Sequence, residues 1–449
     1  MMLDLLKPFE AFFHANLPPG PLRQMLFELF RVMHLYLYEY PDYLLFGLAV
    51  IPPYFLAPRR YRPAYLLAAS AIFLGLLYGW AFAAGMTLFP LFIHWLTGRL
   101  APRAQTDAAF RRRASFGLWG LVLSVYGLLL ARESAEWAPV IPLFGRTLAI
   151  PLLHICGVAF MLPKLLHYIS DRLSGKIGTA SARDVLLFLL FFPTLRLGPI
   201  ERFQNFSRDL RHAEQAGISA FDVGYGLYRI LLGVLKTVIY AAFLYPDRAA
   251  QTPFINDLPA WTLYWHLLAG VLEVYCHFGG YTDIAIGFSR LVGFRMMENF
   301  YLPFFSENIG EWWRRWHISL SFWLRDYVYR PLGGNRKNGF INGLITFVIC
   351  GAWHYLAWNY IIWGAAQGVG IAGWMVWRRF WRRVGEKAGY HDGLKPLVGW
   401  MHAHPRTAHG LAILVTLHYF CLTGIFFILD VDNAWLLFRR VVTLGYFRL

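Results

Sequence analysis

The chain has 449 residues, 57% hydrophobic and 15% charged, with a formal net charge of +16. Soluble chains carry about 25% charged residues, so this composition excludes an ordinary soluble globule and points to a membrane protein. Nor does the positive charge argue for nucleic acid: it sits in short clusters between apolar stretches, Arg59-Arg60-Arg62, Arg99-Arg103, Arg111-Arg112-Arg113 and Arg378-Arg379-Arg382-Arg383, the pattern of cytoplasmic loops under the positive-inside rule.

From the start of the chain, residues 1–20 mix acidic and basic side chains and lack an apolar core followed by small residues, so no cleaved signal peptide is expected. Leu26, Leu29, Phe30, Met33 and Leu37 recur at helical spacing and predict an interfacial amphipathic helix over 21–40. Apolar runs follow at 42–57, 64–97, 115–131, 139–162, 185–197, 221–245, 260–290, 340–376 and 408–429. A hydrocarbon core of roughly 30 Å needs about 20 apolar residues per span, so about 9–12 membrane helices are expected, with 64–97 and 340–376 each long enough for two. The fold class is therefore all-α: a polytopic integral membrane protein with added re-entrant or interfacial helices.

Two stretches are not clean spans. Phe192-Pro193-Thr194-Leu195-Arg196-Leu197-Gly198-Pro199 breaks the 185–197 run. Broken backbone at membrane depth needs protein or a water-filled cavity to cover it, so this piece lines a cavity or is an interfacial loop. Residues 299–340 are too polar to span and too rich in Trp for a free loop. The interval 382–407, with His391, His402 and His404, reads as an extramembrane loop, since those spacings fit no metal-ligand pattern. Cys156, Cys276, Cys350 and Cys421 are isolated in apolar surroundings, imply no disulfide framework and read as small buried residues.

Candidate chemistry lies in three places. If Glu311 to Tyr329 is one helix at about 100° per residue, Trp312, Trp316 and Trp323 share a face opposite Arg314, His317, Ser321 and Arg325. Such a helix either anchors at the lipid headgroups or lines a cavity with its polar stripe. In the run 343–373, His354 stands beside Trp353 with no acidic residue, and an isolated ionisable group in a membrane segment is a functional candidate; a histidine bonded to a backbone carbonyl is the plain alternative. A buried imidazole that stays neutral can take a proton from a hydroxyl attacking a thioester or ester. Third, Glu273 and Asp283 are acids within apolar stretches, as a proton-coupled transporter or flippase would need. No GxSxG elbow, HExxH or phosphate loop occurs; Gly333-Gly334-Asn335-Arg336 reads as a turn.

The block GGYTDIAIGFSRLVGFRMMENFYLPFFSENIGEWWRRWHISLSFWLRDYVYRPLGGNR, Gly279 to Arg336, closely resembles the central block of bacterial membrane-bound O-acyltransferase (MBOAT) proteins. The likeness continues through Cys350-Gly351-Ala352-Trp353-His354 and includes Phe192 to Phe203, similar to the family's FP…GPI.R(F/Y) segment. It is strong over about 190–375. Residues 1–180 resemble the family only in hydropathy, and one MBOAT domain over 1–449 is expected, closed by a C-terminal loop and helices at 376–449.

The resemblance implies a ring of tilted helices around a funnel, and transfer of an acyl group from a thioester donor to a hydroxyl. His354 matches the family's proposed catalytic base and His317 its second polar position. Trp353, Arg314, Trp316, Ser321, Arg325, Asp326, Arg336 and Asn299 become candidate substrate- or donor-binding residues, the arginines suiting the phosphates of CoA or phosphopantetheine. No bound cofactor or metal is implied; the donor is acetyl-CoA or an acyl-carrier thioester. RDYVYRPLGGNR leans toward the branch that acetylates alginate and other exopolysaccharides, and FPT…GPI.RF toward the teichoic-acid D-alanylation branch. Implied partners are membrane lipid, an extracytoplasmic acetyltransferase or polysaccharide acceptor, and a cytosolic acyl-carrier protein. The implied location is the bacterial cytoplasmic (inner) membrane, multi-pass.

Overall fold

A computed structural model describes residues 41–134, 141–143, 146–148, 155–215, 217–239, 259–386 and 395–443. The amphipathic helix expected over 21–40, the signal-peptide question and His391 lie outside the described residues. Cys156 falls in a helix whose side chain there is likewise undescribed.

Helix α1 is Pro41–Leu56. The 64–97 run becomes two helices, α2 (Arg62–Tyr78) and α3 (Trp80–Thr106), parted by Gly79 at φ 83°, a conformation only glycine enters without cost. Asp107 then starts α4 (Ala108–Ser134): its carboxylate accepts the Ala109 and Phe110 N–H groups at 2.8 and 2.9 Å. The Phe110 N–H above all holds that carboxyl below the usual range.

Among the described residues, the 139–162 run does not form one continuous helix. A short antiparallel pair, β1 (Ile141–Leu143) and β2 (Arg146–Leu148), precedes α5 (Ile155–Leu173), and is the exception to an otherwise helical set of described elements. The 185–197 run is broken as its prolines suggest, but it neither lines the cavity described below nor forms an interfacial loop: α6 (Ala182–Leu190) and the single turn α7 (Phe192–Leu195) are wholly buried in protein from Val185 onward. Amphipathic α8 (Phe203–Gln215) follows.

Next come α9 (Ala220–Ile239) and the long α10 (Ala260–Leu291), which pack tightly because glycines face each other across the contact. A Cβ on Gly233 would sit 2.4 Å from the Gly280 carbonyl oxygen, and one on Gly287 2.6 Å from that of Gly226; small residues let membrane helices approach this closely. After α10 the chain is extended or 3₁₀ up to two short helices, α11 (Ile309–Arg315) and α12 (Ile318–Leu324), and a π-helical turn at Arg325–Tyr329. The 340–376 run again makes two helices, α13 (Gly339–His354) and α14 (Trp358–Glu386). Last are α15 (Lys395–Ala403), α16 (Pro405–Ile428) and α17 (Val431–Val442). The interval 382–407 is thus partly helical and not a plain loop, although His402 and His404 are exposed as expected.

Three helices are long and apolar enough to cross a membrane, Arg59–Tyr78, Trp80–Thr106 and Pro405–Ile428, with shorter apolar helices at Tyr43–Leu56 and Gly339–His354. The larger number expected from apolar runs is not reached among the described residues. Helices such as α9 and α10 have the length but carry charge, and they tolerate it by pairing it internally. Arg229 and Lys236 of α9 both bond Asp283 of α10, the lysine at 2.7 Å, and Arg229 also holds Glu298 at 2.5 Å.

Candidate active site

The continuous helix expected over 311–329 is broken at Trp316-His317. Trp316 is extended (φ −109°, ψ 127°) and His317 is left-handed at φ 44°, a region that costs a non-glycine residue about 1–3 kcal/mol. Tertiary hydrogen bonds overrule helical propensity here. The Tyr301 N–H bonds the Arg315 carbonyl at 2.9 Å, the Ile318 N–H bonds the Asn299 carbonyl at 2.9 Å, and Ser321 N–H closes on His317 O at 3.0 Å. The segment 299–301 thus ties down both sides of the break and turns the His317 side chain into the interior, where it is 3% exposed.

His354 is the last residue of α13, which ends because Tyr355 is extended (φ −165°, ψ 145°). Its place is fixed by the α13–α14 contact. A Cβ on Gly351 would lie 2.1 Å from the Tyr360 carbonyl oxygen, and one on Gly364 2.2 Å from that of Phe347. With the backbones this close, the His354 ring packs edge-on to Trp363 (5.4 Å between centroids) and Phe427 (4.9 Å).

Both histidines line one cavity of about 580 Å³, counting its open mouth. Its walls are Gly270, Val271, Val274 and Phe278 of α10, Trp313 and Trp316 at the break, Trp363 of α14, and Phe420, Gly424, Phe427 and Ile428 of α16. The lining holds no Asp, Glu, Lys or Arg. Trp313 Nε1 donates to Gln367 Oε1 (3.2 Å), and Gln367 Nε2 donates to Thr423 Oγ1 (2.6 Å), so that indole is spent on the wall. The cavity thus offers two imidazoles in an apolar setting, suited to moving a proton to or from an apolar or weakly polar reactant.

Of the residues singled out from the sequence, the fold brings together His317, His354, Trp316, Trp353 and Asn299. Trp353 lies between the histidines, its ring 6.1 Å from that of His317 and 4.7 Å from that of His354, and its Nε1 donates to the Ala159 carbonyl at 3.1 Å. Asn299 is fully buried and contacts the His317 ring, with His317 Nδ1 3.0 Å from its Oδ1. The polar stripe does not form. Arg314 is exposed with its guanidinium 5.9 Å over Trp374, and Ser321 Oγ donates to the Trp316 carbonyl at 3.3 Å. Arg325 is exposed and forks onto Asp326 at 2.9 and 3.1 Å, while Asp326 also takes Arg330 at 2.8 Å. Arg336 is exposed in the turn before α13. None of these five lines the cavity.

Sequence reasoning missed the walls. Nothing local marks Phe278, Trp313, Trp363, Phe420 and Phe427, because their convergence is tertiary. One signal was present: Gln367, a polar residue inside an apolar run and fully buried, is the hydrogen-bond centre of the α11–α14–α16 contact. Among the described residues no group of three or more His, Cys, Asp or Glu side chains could hold a metal ion.

Comparison with known proteins places this geometry. The model of the membrane-bound O-acyltransferase family matches residues 115–394, which includes both histidines. The chain is 33% identical over 349 residues to the protein named probable alginate O-acetylase AlgI in Azotobacter vinelandii, covering 71% of this chain and 64% of that protein. The likeness to the Pseudomonas fluorescens protein of the same name is 35% over 333 residues, 71% of this chain and 62% of that one. The teichoic acid D-alanyltransferase of Bacillus subtilis is 28% identical over 404 residues, covering 84% of this chain and 94% of that protein. The chain therefore spans less than two thirds of the length of these alginate relatives.

Proposed function

The chain belongs to the membrane-bound O-acyltransferase family, and on that premise we propose that it is a membrane enzyme that moves a small acyl group, acetyl first among them, from a cytosolic thioester to a hydroxyl. The acceptor is an extracytoplasmic polysaccharide or a partner protein that acylates one, and the enzyme works in the bacterial cytoplasmic membrane. The observation that carries this reading is the pair His317 and His354 in one apolar cavity. In the reaction the hydroxyl oxygen attacks the thioester carbonyl carbon while its proton passes to an imidazole, His354 in our assignment with His317 assisting. Collapse of the tetrahedral adduct breaks the C–S bond, and the proton returns to the departing thiolate. General-base help of this kind is worth ~10²–10⁴-fold. The exposed Arg314, Arg325 and Arg336 meet donor phosphates outside the cavity, and not the reacting atoms.

D-alanyl transfer from a carrier-protein thioester is the second reading, favoured by the match over 94% of the B. subtilis D-alanyltransferase. A transporter or flippase would use Glu273 and Asp283, and it is disfavoured because Asp283 is already engaged by Arg229 and Lys236.

The full chain, purified in nanodiscs, is incubated with radiolabelled acetyl-CoA and, separately, with an acyl-carrier thioester, with and without a polysaccharide acceptor. Thioester turnover that is lost in His354→Ala, with an unchanged size-exclusion profile, supports the proposal, and the donor that is consumed separates the two readings. Undiminished turnover in His354→Ala removes the mechanism.

A further inference from the structure

Asn299 sits on the segment that ties down the His317 turn, and its side-chain amide has one possible orientation. The backbone N–H of Ser319 lies 3.3 Å from Oδ1, and a backbone N–H can only donate. Ser319 Oγ is 2.8 Å from the same oxygen; it accepts the Ile200 N–H at 3.0 Å and turns its own hydrogen to Asn299. On the other side the amide nitrogen is 3.5 Å from Thr282 Oγ1, whose hydrogen is spent on the Phe278 carbonyl at 2.8 Å. That hydroxyl therefore accepts, and the amide NH₂ must face it.

With the oxygen so fixed, His317 Nδ1 at 3.0 Å must carry the proton that joins them. The neutral ring then has its lone pair on Nε2. Nε2 is buried and has no hydrogen-bond partner among the described residues, in a ring that lines the cavity.

We infer that Asn299, braced by Ser319 and Thr282, is a positioning residue that holds His317 in its Nδ1–H form, so that His317 meets the cavity as a hydrogen-bond acceptor and not as a donor. A bound hydroxyl can give its hydrogen to His317. The ring cannot serve the carbonyl oxygen of the acyl group until it has itself been protonated, so oxyanion stabilisation comes from another group. The catalytic part of this inference rests on the acyltransferase reading; the tautomer does not.

The test uses the full chain in nanodiscs with ¹⁵N-labelled histidine, His317→Gln serving to assign the ring. The expected spectrum has a protonated Nδ1 and an unprotonated Nε2 at His317. Asn299→Leu is expected to lose that pattern and ~100-fold or more in kcat, with KM little changed. A protonated Nε2 in the wild type overturns the inference, as does an Asn299→Leu protein that folds and turns over within about twofold of wild type. If Asn299→Leu does not fold, the wild-type spectrum alone decides. A wild type with the Nδ1–H pattern that consumes neither thioester upholds the tautomer and defeats the acyltransferase reading instead.

Discussion

Between α9 and α10, Asp283 is clasped by Arg229 and Lys236, and Arg229 reaches on to Glu298 and to the Tyr225 hydroxyl at 2.9 Å. Every formal charge there has a partner. At the cavity, the buried His317 Nε2 has no hydrogen-bond partner among the described residues and the cavity lining carries no compensating charge. The two regions share α10, whose one face holds Asp283 and another Phe278, so the contrast is not one of depth or environment alone. A buried charge that holds helices together is compensated by charge of the opposite sign, even where one atom such as Arg229 Nε makes no hydrogen bond of its own. A buried polar atom without a partner needs its own explanation, and under the proposed function that explanation is a proton-accepting role for His317.

That contrast can be broken in several ways. The largest effect is expected at the cavity: His354→Ala loses ~10²–10⁴-fold in turnover without loss of fold, measured by thioester consumption beside a size-exclusion profile. At the α9–α10 ion pairs, Asp283→Ala leaves Arg229 and Lys236 short of a buried partner and is expected to cost about 3–5 kcal/mol of stability, read from thermal unfolding in nanodiscs. The molecules that stay folded should turn over normally. An Asp283→Ala protein of full stability but no turnover would reverse the assignment of the two regions. Gly233→Ala drives a methyl group into the Gly280 carbonyl and should cost about 1–3 kcal/mol; an unchanged melting temperature would show that the α9–α10 contact is looser than described. Gly424→Leu is the counterpart on the cavity side. A Cβ at Gly424 meets nothing within 4 Å, so the leucine should fill the cavity, lower turnover and leave the melting temperature unchanged. The smallest effect is expected for Arg336→Ala, exposed and outside the cavity: stability within about 0.5 kcal/mol, with any change confined to KM for the phosphate-bearing donor.

The family block was legible because its Trp, Arg and Gly positions are long and unusual as a string, and both cavity histidines lie within or just beyond it. The helical face drawn through Arg314, His317, Ser321 and Arg325 was wrong for a physical reason. Periodicity assumes that local backbone hydrogen bonds win, whereas here Asn299 and Tyr301, more than a dozen residues upstream, take over the backbone groups at the break. The apolar runs gave the two helices of 64–97, which part at Gly79, but not the strands β1 and β2 inside 139–162, since hydropathy does not distinguish a short apolar strand from part of a helix.

The sequence by itself determined the membrane class, the helical character of most of the chain and the family, and it singled out the two histidines that the fold brings to one cavity. These follow from composition, run length and rare residue strings, which are local quantities. Only the tertiary structure decided that His317 turns inward at φ 44°, that Asn299 grips it, that Arg314, Arg325 and Arg336 stay outside, and that aromatics from four elements close one cavity. Each of these depends on contacts between residues far apart in the chain, chiefly the glycine-to-backbone approaches of α9 with α10 and α13 with α14. A glycine in the sequence shows where a close approach is possible, and only the packed helices show which backbone fills the space.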